Sequence, residues 1–376
     1  MARKTDGENR PEACEENQGM TMLAPGSVIG ILGGGQLGRL LAIKCAGLGF
    51  KAHIYAPEKD SPAFDVAARH TCAAYDDHDA LSRFAAAVDI ITYEFENVPA
   101  ACAEFLDKHK PLHPSPQALA IAQDRLQEKR FITSLKLPLA DYCAVDTAED
   151  LKTAVKKIGL PCVLKTRQFG YDGKGQSVIK NESEIEAAWK HVAAVPSVLE
   201  KFIALEKEIS VIAVRSGNGE TASYDVAGNV HKDHILHTST VPAKISHDLE
   251  SEARAAAEKL IAALDYVGVL AVEFFVTKDG MLLINEMAPR VHNSGHWTLD
   301  ACPACQFENH IRAIAGWPLG ETARFADAVM TNLIGPDVEN WQNALDHKAN
   351  RLWLYGKQEA RKGRKMGHIT TLKPKA

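Results

Sequence analysis

Residues 165–177 read KTRQFGYDGKGQS, from Lys165 to Ser177, and the meaning given to this stretch decides the fold. A strand-like run at 160–165, centred on Cys162, Val163 and Leu164, leads in, and Ser177, Val178 and Ile179 lead out. Between them Gly170, Gly173 and Gly175 are interleaved with Asp172 and Lys174. Glycines let backbone N–H groups turn inward and approach an anion closely. A lysine at the loop base, Lys165, and another inside it, Lys174, can neutralise phosphate charge. The same residues suit a polar hairpin that needs glycine to turn. A P-loop is excluded, because no Gly-Lys-Ser/Thr opens a helix after the stretch. The rest of the chain must choose between hairpin and phosphate loop.

A chain of 376 residues is too long for one ordinary core and suits two or three subdomains. Its 46% hydrophobic and 24% charged residues are ordinary for a soluble globular protein. A net charge of −5 gives no electrostatic case for nucleic acid, and no apolar run reaches membrane-spanning length. Eight cysteines scattered through apolar stretches read as buried thiols in a reducing compartment, which places the protein in the cytoplasm. Residues 1–18 are polar and lack the apolar core of a secretion signal. They read as a disordered extension, or as translation from an upstream start with Met20 or Met22 as the natural beginning.

Upstream of the glycine stretch the chain alternates strand and helix. A strand at 27–32 runs into the turn Gly33–Gly38, a helix follows at 39–47, and a second strand at 52–55 ends in Pro57 and Glu58. Strand, GxGxxG turn, helix and a later acidic residue form the dinucleotide fingerprint. Such a turn equally binds another phosphate on the helix N-terminus or merely packs helix on strand. A strand at 88–93 ends in Glu94, Phe95, Glu96 and Asn97, where open α/β sheets bind ligands. A helix at 119–135 carries Asp124, Arg125 and Lys129, charges that ordinarily form a solvent face.

Downstream the rhythm changes, which puts a domain boundary near Lys129. An amphipathic helix at 150–158 feeds the glycine stretch, and a helix at 183–193 and a strand at 197–203 follow it. Further strands fall at 208–214, 221–226 and 230–238, the last two separated by a turn at Gly228-Asn229. After a helix at 249–264, strands at 269–276 and 281–287 form a hairpin turning at Asp279-Gly280. They carry Glu273 on one strand and Asn285-Glu286 on the other. Two carboxylates on paired strands, with an amide beside one, suit an oxygen-ligand cation such as magnesium. Glu273 lies among Ala271, Val272, Phe274 and Phe275, where a carboxylate is costly unless it meets a charge.

The loop Pro289-Arg290-Val291-His292-Asn293-Ser294-Gly295-His296-Trp297 follows. Gly295 opposes the unbroken helix that a His292/His296 metal pair needs, and His231, His234 and His237 do not share a strand face, so the spacings do not point to zinc. Cys302 and Cys305 form a lone CxxC that reads as packing at the start of a helix at 306–315 rather than as redox chemistry. Strands at 328–334 and 352–355 close the chain, followed by Lys357, Arg361, Lys362, Arg364 and Lys365. On an acidic chain this basic stretch fits one phosphate group or a solvated edge.

The runs GGGQLGR at 33–39, GYDGKGQ at 170–176, NEMAPRVHNSGHW at 285–297 and GRKMGH at 363–368 together resemble the ATP-grasp superfamily, and within it the 5-(carboxyamino)imidazole ribonucleotide synthetase family. The resemblance extends from about residue 27 to 371. It implies an α/β and α+β fold, with a Rossmann-like preATP-grasp domain at 23–128 after an extension at 1–22. An ATP-grasp domain is implied at 129–316, with a glycine-loop subdomain at about 160–230, and a small C-terminal domain at 317–376. The implied reaction is carboxylation of aminoimidazole ribonucleotide by ATP and bicarbonate through carboxyphosphate. It also implies Mg2+ or Mn2+, no NAD, zinc or biotin, no nucleic-acid or membrane partner, and a homodimer.

Residue by residue, Arg125, Lys165 and the loop Gly170, Tyr171, Asp172, Gly173, Lys174, Gly175 and Gln176 match the family's ATP phosphate contacts. Glu200, Lys201, Phe202 and Ile203 match its adenine hinge, Glu208 its ribose carboxylate, His231 a further nucleotide contact, and Asn285 lies beside the ATP-facing Glu286. Glu273 and Glu286 match the metal ligands. Gly35, Gln36, Leu37, Lys357 and Arg364 match contacts to the ribonucleotide phosphate, while Glu96, Tyr171, Asp172 and Lys174 match positions facing that substrate. Arg290, His292 and Asn293 match the catalytic residues around bicarbonate. An NAD-dependent protein would leave Lys165, Glu273 and Glu286 without roles, and other ATP-grasp ligases do not usually carry the whole 285–297 run.

Overall fold

Among the described residues the chain forms three sheets, and one cleft is lined by residues on or next to strands of each. The computed structural model describes residues 21–168, 170 and 175–375. Tyr171, Asp172, Gly173 and Lys174 of the glycine loop, and residues 1–20 of the expected extension, lie outside that set.

The first sheet is wholly parallel, in the order Arg69–Cys72, Lys51–Ala56, Val28–Leu32, Ile90–Tyr93. The second and fourth strands of the chain flank the first, so the order reverses beside Val28–Leu32. Crevices open at such reversals, outside the carboxyl ends of the strands. The Gly33 turn and Glu94 stand at those two ends. Helix Gln36–Gly47 begins inside the glycine run, three residues earlier than the side-chain pattern predicts, because Gly35 serves as its N-cap.

The second sheet has nine strands. Its backbone is the strand Leu205–Arg215, paired on one side with Gly268–Thr277 and then Leu282–Ala288. On the other side come Ala227–Lys232, Ile235–Val241, Ala326–Ile334, Lys365–Pro374 and Asn350–Leu354. The C-terminal strands therefore extend the same sheet. Both faces are covered. Val211 and Ala213 pack under helix His247–Ala263, while Ile212 and Val214 face Phe307 and Ile311 of helix Gln306–Ile314. Burial on both faces explains why Leu205–Arg215 shows a continuous apolar run. Helix Gln36–Gly47 joins the second of these clusters through Leu40 and Leu41, which docks the first domain on the second.

The third sheet is antiparallel, in the order Tyr142–Val145, Ser197–Lys201, Cys162–Thr166, Gln176–Ile179. Cys162, Leu164 and Leu199 face a core with helix Ala148–Ile158. By strand alternation Lys165 and Glu200 face the other way, toward the cleft. The strands Cys162–Thr166 and Gln176–Ile179 are the expected hairpin around the glycine loop. Gly175 has φ +70°, and a Cβ there would lie 2.7 Å from Thr166 Oγ1.

Three expectations are corrected. The helix predicted over 119–135 is two helices, Pro116–Gln123 and Arg125–Ser134. Asp124 breaks it, because its carboxylate accepts the Leu126 and Gln127 amides at 2.9 and 3.1 Å as an N-cap. The break re-phases the second helix, so Glu128 and Lys129 are buried rather than on a solvent face. The turn predicted at Gly228-Asn229 lies instead at Asp233 and His234, with φ +50° and +64°. These left-handed values match the two-residue hairpin turn, while Asn229 stays in the strand with its amide bonded across the sheet to Ser210 and Ser239. The strand Lys365–Pro374 was not predicted, because its basic start hid the alternation Met366, His368, Thr370 that faces inward.

Candidate active site

One cleft collects residues from all three sheets: Glu96, Arg125, Lys165, Gly170, Gln176, Glu208, His231, Glu273, Asn285, Glu286, Arg290, His292 and Asn293 all line it. Its floor is the hairpin Gly268–Thr277/Leu282–Ala288, whose register sets Glu273 directly opposite Glu286. A bulge follows Glu273. Burial, and then the Glu286 charge, push Glu273 up to about 7. Burial pushes Glu286 up as well, but the Arg125 guanidinium, 2.8 Å from its Oε2, outweighs this and holds it below the usual range. The neighbouring Asn285 Oδ1 is buried without a hydrogen-bond partner. Two carboxylates that crowd one another, beside an orphaned amide oxygen, form a donor set that fits a hard divalent cation.

Across the cleft lies the opposite arrangement. Glu200 is buried with Lys165 Nζ 3.0 Å from one oxygen and Lys129 Nζ 3.2 Å from the other. Burial raises the Glu200 pKa, yet Lys165 and then Lys129 outweigh it and hold the carboxyl at about 2. Glu128, beside Lys129, accepts the Met287 amide at 2.6 Å. The helix Arg125–Ser134 thus supplies Arg125 to one cluster and Lys129 to the other. Its first amide donates to the Arg167 carbonyl at 2.9 Å, which ties it to the base of the glycine hairpin.

The loop after Ala288 brings Arg290 to Glu96, whose carboxyl oxygen bonds the guanidinium Nε and links the first domain to the second. Burial alone would raise Glu96, but Arg290 holds it at about 2. His292 lies 3.6 Å from Glu273 through Nε2. Its tautomer follows from a buried chain of donors. Asn229 Nδ2 donates to Ser210 Oγ at 2.9 Å, Ser210 to Ser294 Oγ at 2.8 Å, and Ser294 lies 2.9 Å from His292 Nδ1. The Ser294 amide also points at Nδ1, at 3.3 Å. With donors on Nδ1, the proton resides on Nε2, facing Glu273. Burial and then Arg290 push the imidazole well below its usual range, so it is neutral.

Asn293 differs from its neighbours. Its amide exchanges two hydrogen bonds with Asn332, at 3.0 and 2.6 Å, so both ends of the group hold the loop to the strand Ala326–Ile334. His231 Nδ1 lies 2.6 Å from Glu208 Oε2. Burial lowers the His231 pKa, but the hydrogen bond to Glu208 reverses this and raises it. Lys201, Phe202 and Ile203 stand apart in an adjoining apolar hollow with Leu139, Met281 and Leu283. The Lys201 and Phe202 amides there already donate to the Asp141 and Pro161 carbonyls.

The remaining predicted residues gather at the first domain's glycine turn. Lys357 Nζ bonds the Gln36 side-chain oxygen and, at 2.7 Å, the Lys365 carbonyl. Arg364 bonds the Glu359 carbonyl at 3.0 Å. Glu94, which sequence reasoning placed at the strand end but gave no role, accepts the Gly35 and Gly38 amides at 2.5 and 2.7 Å. Lys129, Glu94 and Asn332 were the residues missed. Only Glu94 carried a signal, an acidic residue directly after a fully buried strand. Among the described residues no three His, Cys, Asp or Glu side chains cluster to hold a metal. No helix there is long and apolar enough to cross a membrane. Cys302 and Cys305 are both buried, and Cys305 Sγ accepts the Glu308 amide at 3.4 Å as the N-cap of helix Gln306–Ile314.

Comparisons with known proteins agree along the chain. Residues 27–123 match the ribonucleotide synthetase preATP-grasp domain, 130–307 the ATP-grasp domain and 328–376 the phosphoribosylaminoimidazole carboxylase C-terminal domain. An N5-carboxyaminoimidazole ribonucleotide synthase of Brucella melitensis is 53% identical over 94% of this chain and 99% of its own length. A crystal structure of an N5-carboxyaminoimidazole ribonucleotide synthetase in complex with ADP superposes with a TM-score of 0.91 at 45% identity, covering 94% of each chain. The Aspergillus clavatus synthase, solved with ADP and 5-aminoimidazole ribonucleotide, superposes with a TM-score of 0.87 at 30% identity, covering 93% of this chain and 94% of its own. The chain belongs to the N5-carboxyaminoimidazole ribonucleotide synthase family of ATP-grasp ligases.

Proposed function

We propose that this protein carboxylates the exocyclic amine of 5-aminoimidazole ribonucleotide with bicarbonate at the expense of ATP, in purine biosynthesis. The observation that carries the reading is the opposed pair Glu273–Glu286 with the orphaned Asn285 oxygen, set in one cleft with Arg125, Lys165, Arg290 and His292. Bicarbonate is a poor electrophile until it carries a phosphate leaving group. We assign the first step to phosphorylation of bicarbonate, giving carboxyphosphate and ADP, and the second to attack by the amine, giving the carbamate and phosphate.

In-line phosphoryl transfer needs positioning and positive charge more than covalent chemistry. Lys165 and Arg125 supply the charge, and the glycine hairpin covers the phosphates. Glu273 and Glu286, aided by Asn285, would hold a divalent cation, magnesium by preference. When bound, that ion neutralises charge on the terminal phosphates. Arg290 offers a forked donor for the carboxyphosphate dianion, and Glu96 keeps it aimed at the junction of the two domains. His292 presents Nε2–H toward the same space. Asn293, with its amide held by Asn332, acts by fixing the loop. At the other end Gln36, Leu37, Lys357 and Arg364 receive the ribonucleotide's phosphate. The homodimer implied by the family resemblance is retained as part of the proposal, and sedimentation tests it.

The test is ADP release with ATP, magnesium and bicarbonate, with and without 5-aminoimidazole ribonucleotide. A strong rise only when bicarbonate and the ribonucleotide are both present supports the assignment. Turnover indifferent to the ribonucleotide would mean a different acceptor.

A further inference from the structure

The glycine turn of the first domain has the sequence of a dinucleotide site, yet the geometry closes it to one. In that fold a pyrophosphate rests on the amides at the start of the first helix. Here Glu94 reaches in from the end of the neighbouring strand. Its Oε1 takes the Gly35 amide at 2.5 Å and its Oε2 the Gly38 amide at 2.7 Å. Glu94 is only 6% exposed.

The glycines themselves fit this carboxylate. A Cβ on Gly33 would lie 2.4 Å from Glu94 Cγ, and one on Gly35 would lie 2.6 Å from Glu94 Oε1. A Cβ on Gly38 would lie 2.7 Å from the Gly33 carbonyl oxygen. Close internal packing therefore accounts for the glycine spacing, with no need for a pyrophosphate approaching the backbone. Charge acts the same way. A fixed carboxylate at the helix start repels a second phosphate, while Lys357, bonded to the neighbouring Gln36 side chain, favours a first.

We infer that Glu94 is a specificity-determining positioning residue, which occupies the two amides a second phosphate would need and so limits the turn to a single terminal phosphate. The inference rests on the assignment of Gln36, Leu37 and Lys357 to the ribonucleotide's phosphate.

The test is calorimetric binding of 5-aminoimidazole ribonucleotide to metal-free protein, with inorganic phosphate and inorganic pyrophosphate as competitors. In the wild type phosphate should compete better than pyrophosphate, because Glu94 already holds the Gly35 and Gly38 amides. In Glu94→Ala, pyrophosphate should gain over phosphate by roughly tenfold or more, since two charge-accepting amides are freed. Glu94→Gln keeps the shape without the charge and should shift the ratio in the same direction by less. Binding of ADP with magnesium at the far end of the cleft confirms that each variant is folded, and Glu94→Gln carries the test alone if the alanine variant is not. An unchanged ratio in a folded Glu94 variant would reduce Glu94 to a helix cap and overturn the inference. Lys357→Met separates the two layers of the argument. It should weaken the ribonucleotide without altering the ratio. If it leaves the ribonucleotide's affinity untouched, the phosphate assignment is wrong and the inference falls with it.

Discussion

Two charge clusters face one another across the cleft, and they are balanced in opposite ways. At Glu200 one carboxylate meets two ammonium groups, both oxygens are occupied, and the group stays ionised. At Glu273 and Glu286 two carboxylates meet one guanidinium, an amide oxygen is left unpaired, and Glu273 is pushed up to about 7. A buried charge without compensation is expensive. The closed cluster therefore behaves as framework, and the open one, on the proposed function, would receive a cation from outside. That difference separates residues that hold the site from residues that work in it.

The hardest break of this contrast is Glu286→Gln. Removing one of two crowded carboxylates takes away a proposed metal ligand while relieving repulsion on Glu273. Turnover should fall on the order of a thousandfold, the scale of several kcal/mol of lost charge stabilisation. The melting temperature should stay level or rise. ADP release and a thermal melt on the same sample check both halves, and near-normal turnover would remove Glu286 from the metal site.

Lys129→Met attacks the closed cluster instead and should do the reverse. Glu200 keeps Lys165 but loses its second cation in a buried setting. The cost should be about 3 kcal/mol of stability, near the lower limit for breaking a buried pair, because one partner remains. Urea denaturation measures it. The KM for ATP should rise too, since Lys165 is then drawn more tightly to Glu200. Unchanged stability would mean that the cluster is not framework at all.

The sequence made the open cluster legible and the closed one obscure, for physical reasons. Glu273 and Glu286 stand on a hairpin with a short Asp279-Gly280 turn, so period-two alternation and turn chemistry suffice to set them opposite each other. Glu273 is also conspicuous among apolar neighbours. Lys129 pairs with Glu200 across 70 intervening positions, and no local pattern encodes that meeting. Its helix also looked continuous from 119 to 135, and only the cap at Asp124 re-phases it so that Lys129 turns inward. The Gly-Asn pair at 228–229 misled for a related reason. Turn-forming residues signal a turn only when their side chains have nothing better to bond, and Asn229 has Ser210 and Ser239.

A smaller effect is expected from the donor chain behind His292. Ser210→Ala interrupts it between Asn229 and Ser294 without touching the cleft surface, since Ser210 is 1% exposed. The imidazole would lose the ordered hydroxyl on Nδ1 and keep only the Ser294 amide at 3.3 Å to hold its proton on Nε2. We expect kcat to fall about tenfold, the worth of one or two net hydrogen bonds, with the KM for ATP unchanged. A rise in KM with kcat intact would place the chain in binding rather than in positioning.

Lys357 sharpens the contrast from the positive side. It is a half-buried cation whose bonded partners, the Gln36 side-chain oxygen and the Lys365 carbonyl, are both neutral. Burial, and then the nearby Arg364 charge, hold its pKa at about 8. Like Glu273 it is a charge whose compensation is incomplete, because the nearby Glu94 carboxylate offsets burial and Arg364 only in part. The sign of the pH effect follows. Phosphate favours the protonated ammonium, so binding carries no protonation cost from this group below pH 8. Above pH 8 free Lys357 gives up its proton and must recover it on binding, and affinity for 5-aminoimidazole ribonucleotide should fall by up to about tenfold per unit. The second phosphate ionisation, near pH 6, is complete by then and does not contribute to the slope. Lys357→Arg keeps its charge throughout and should flatten the profile between pH 8 and 9.5. The same slope in both proteins would assign the titration to another group and leave Lys357 a structural cation, satisfied by its two neutral partners.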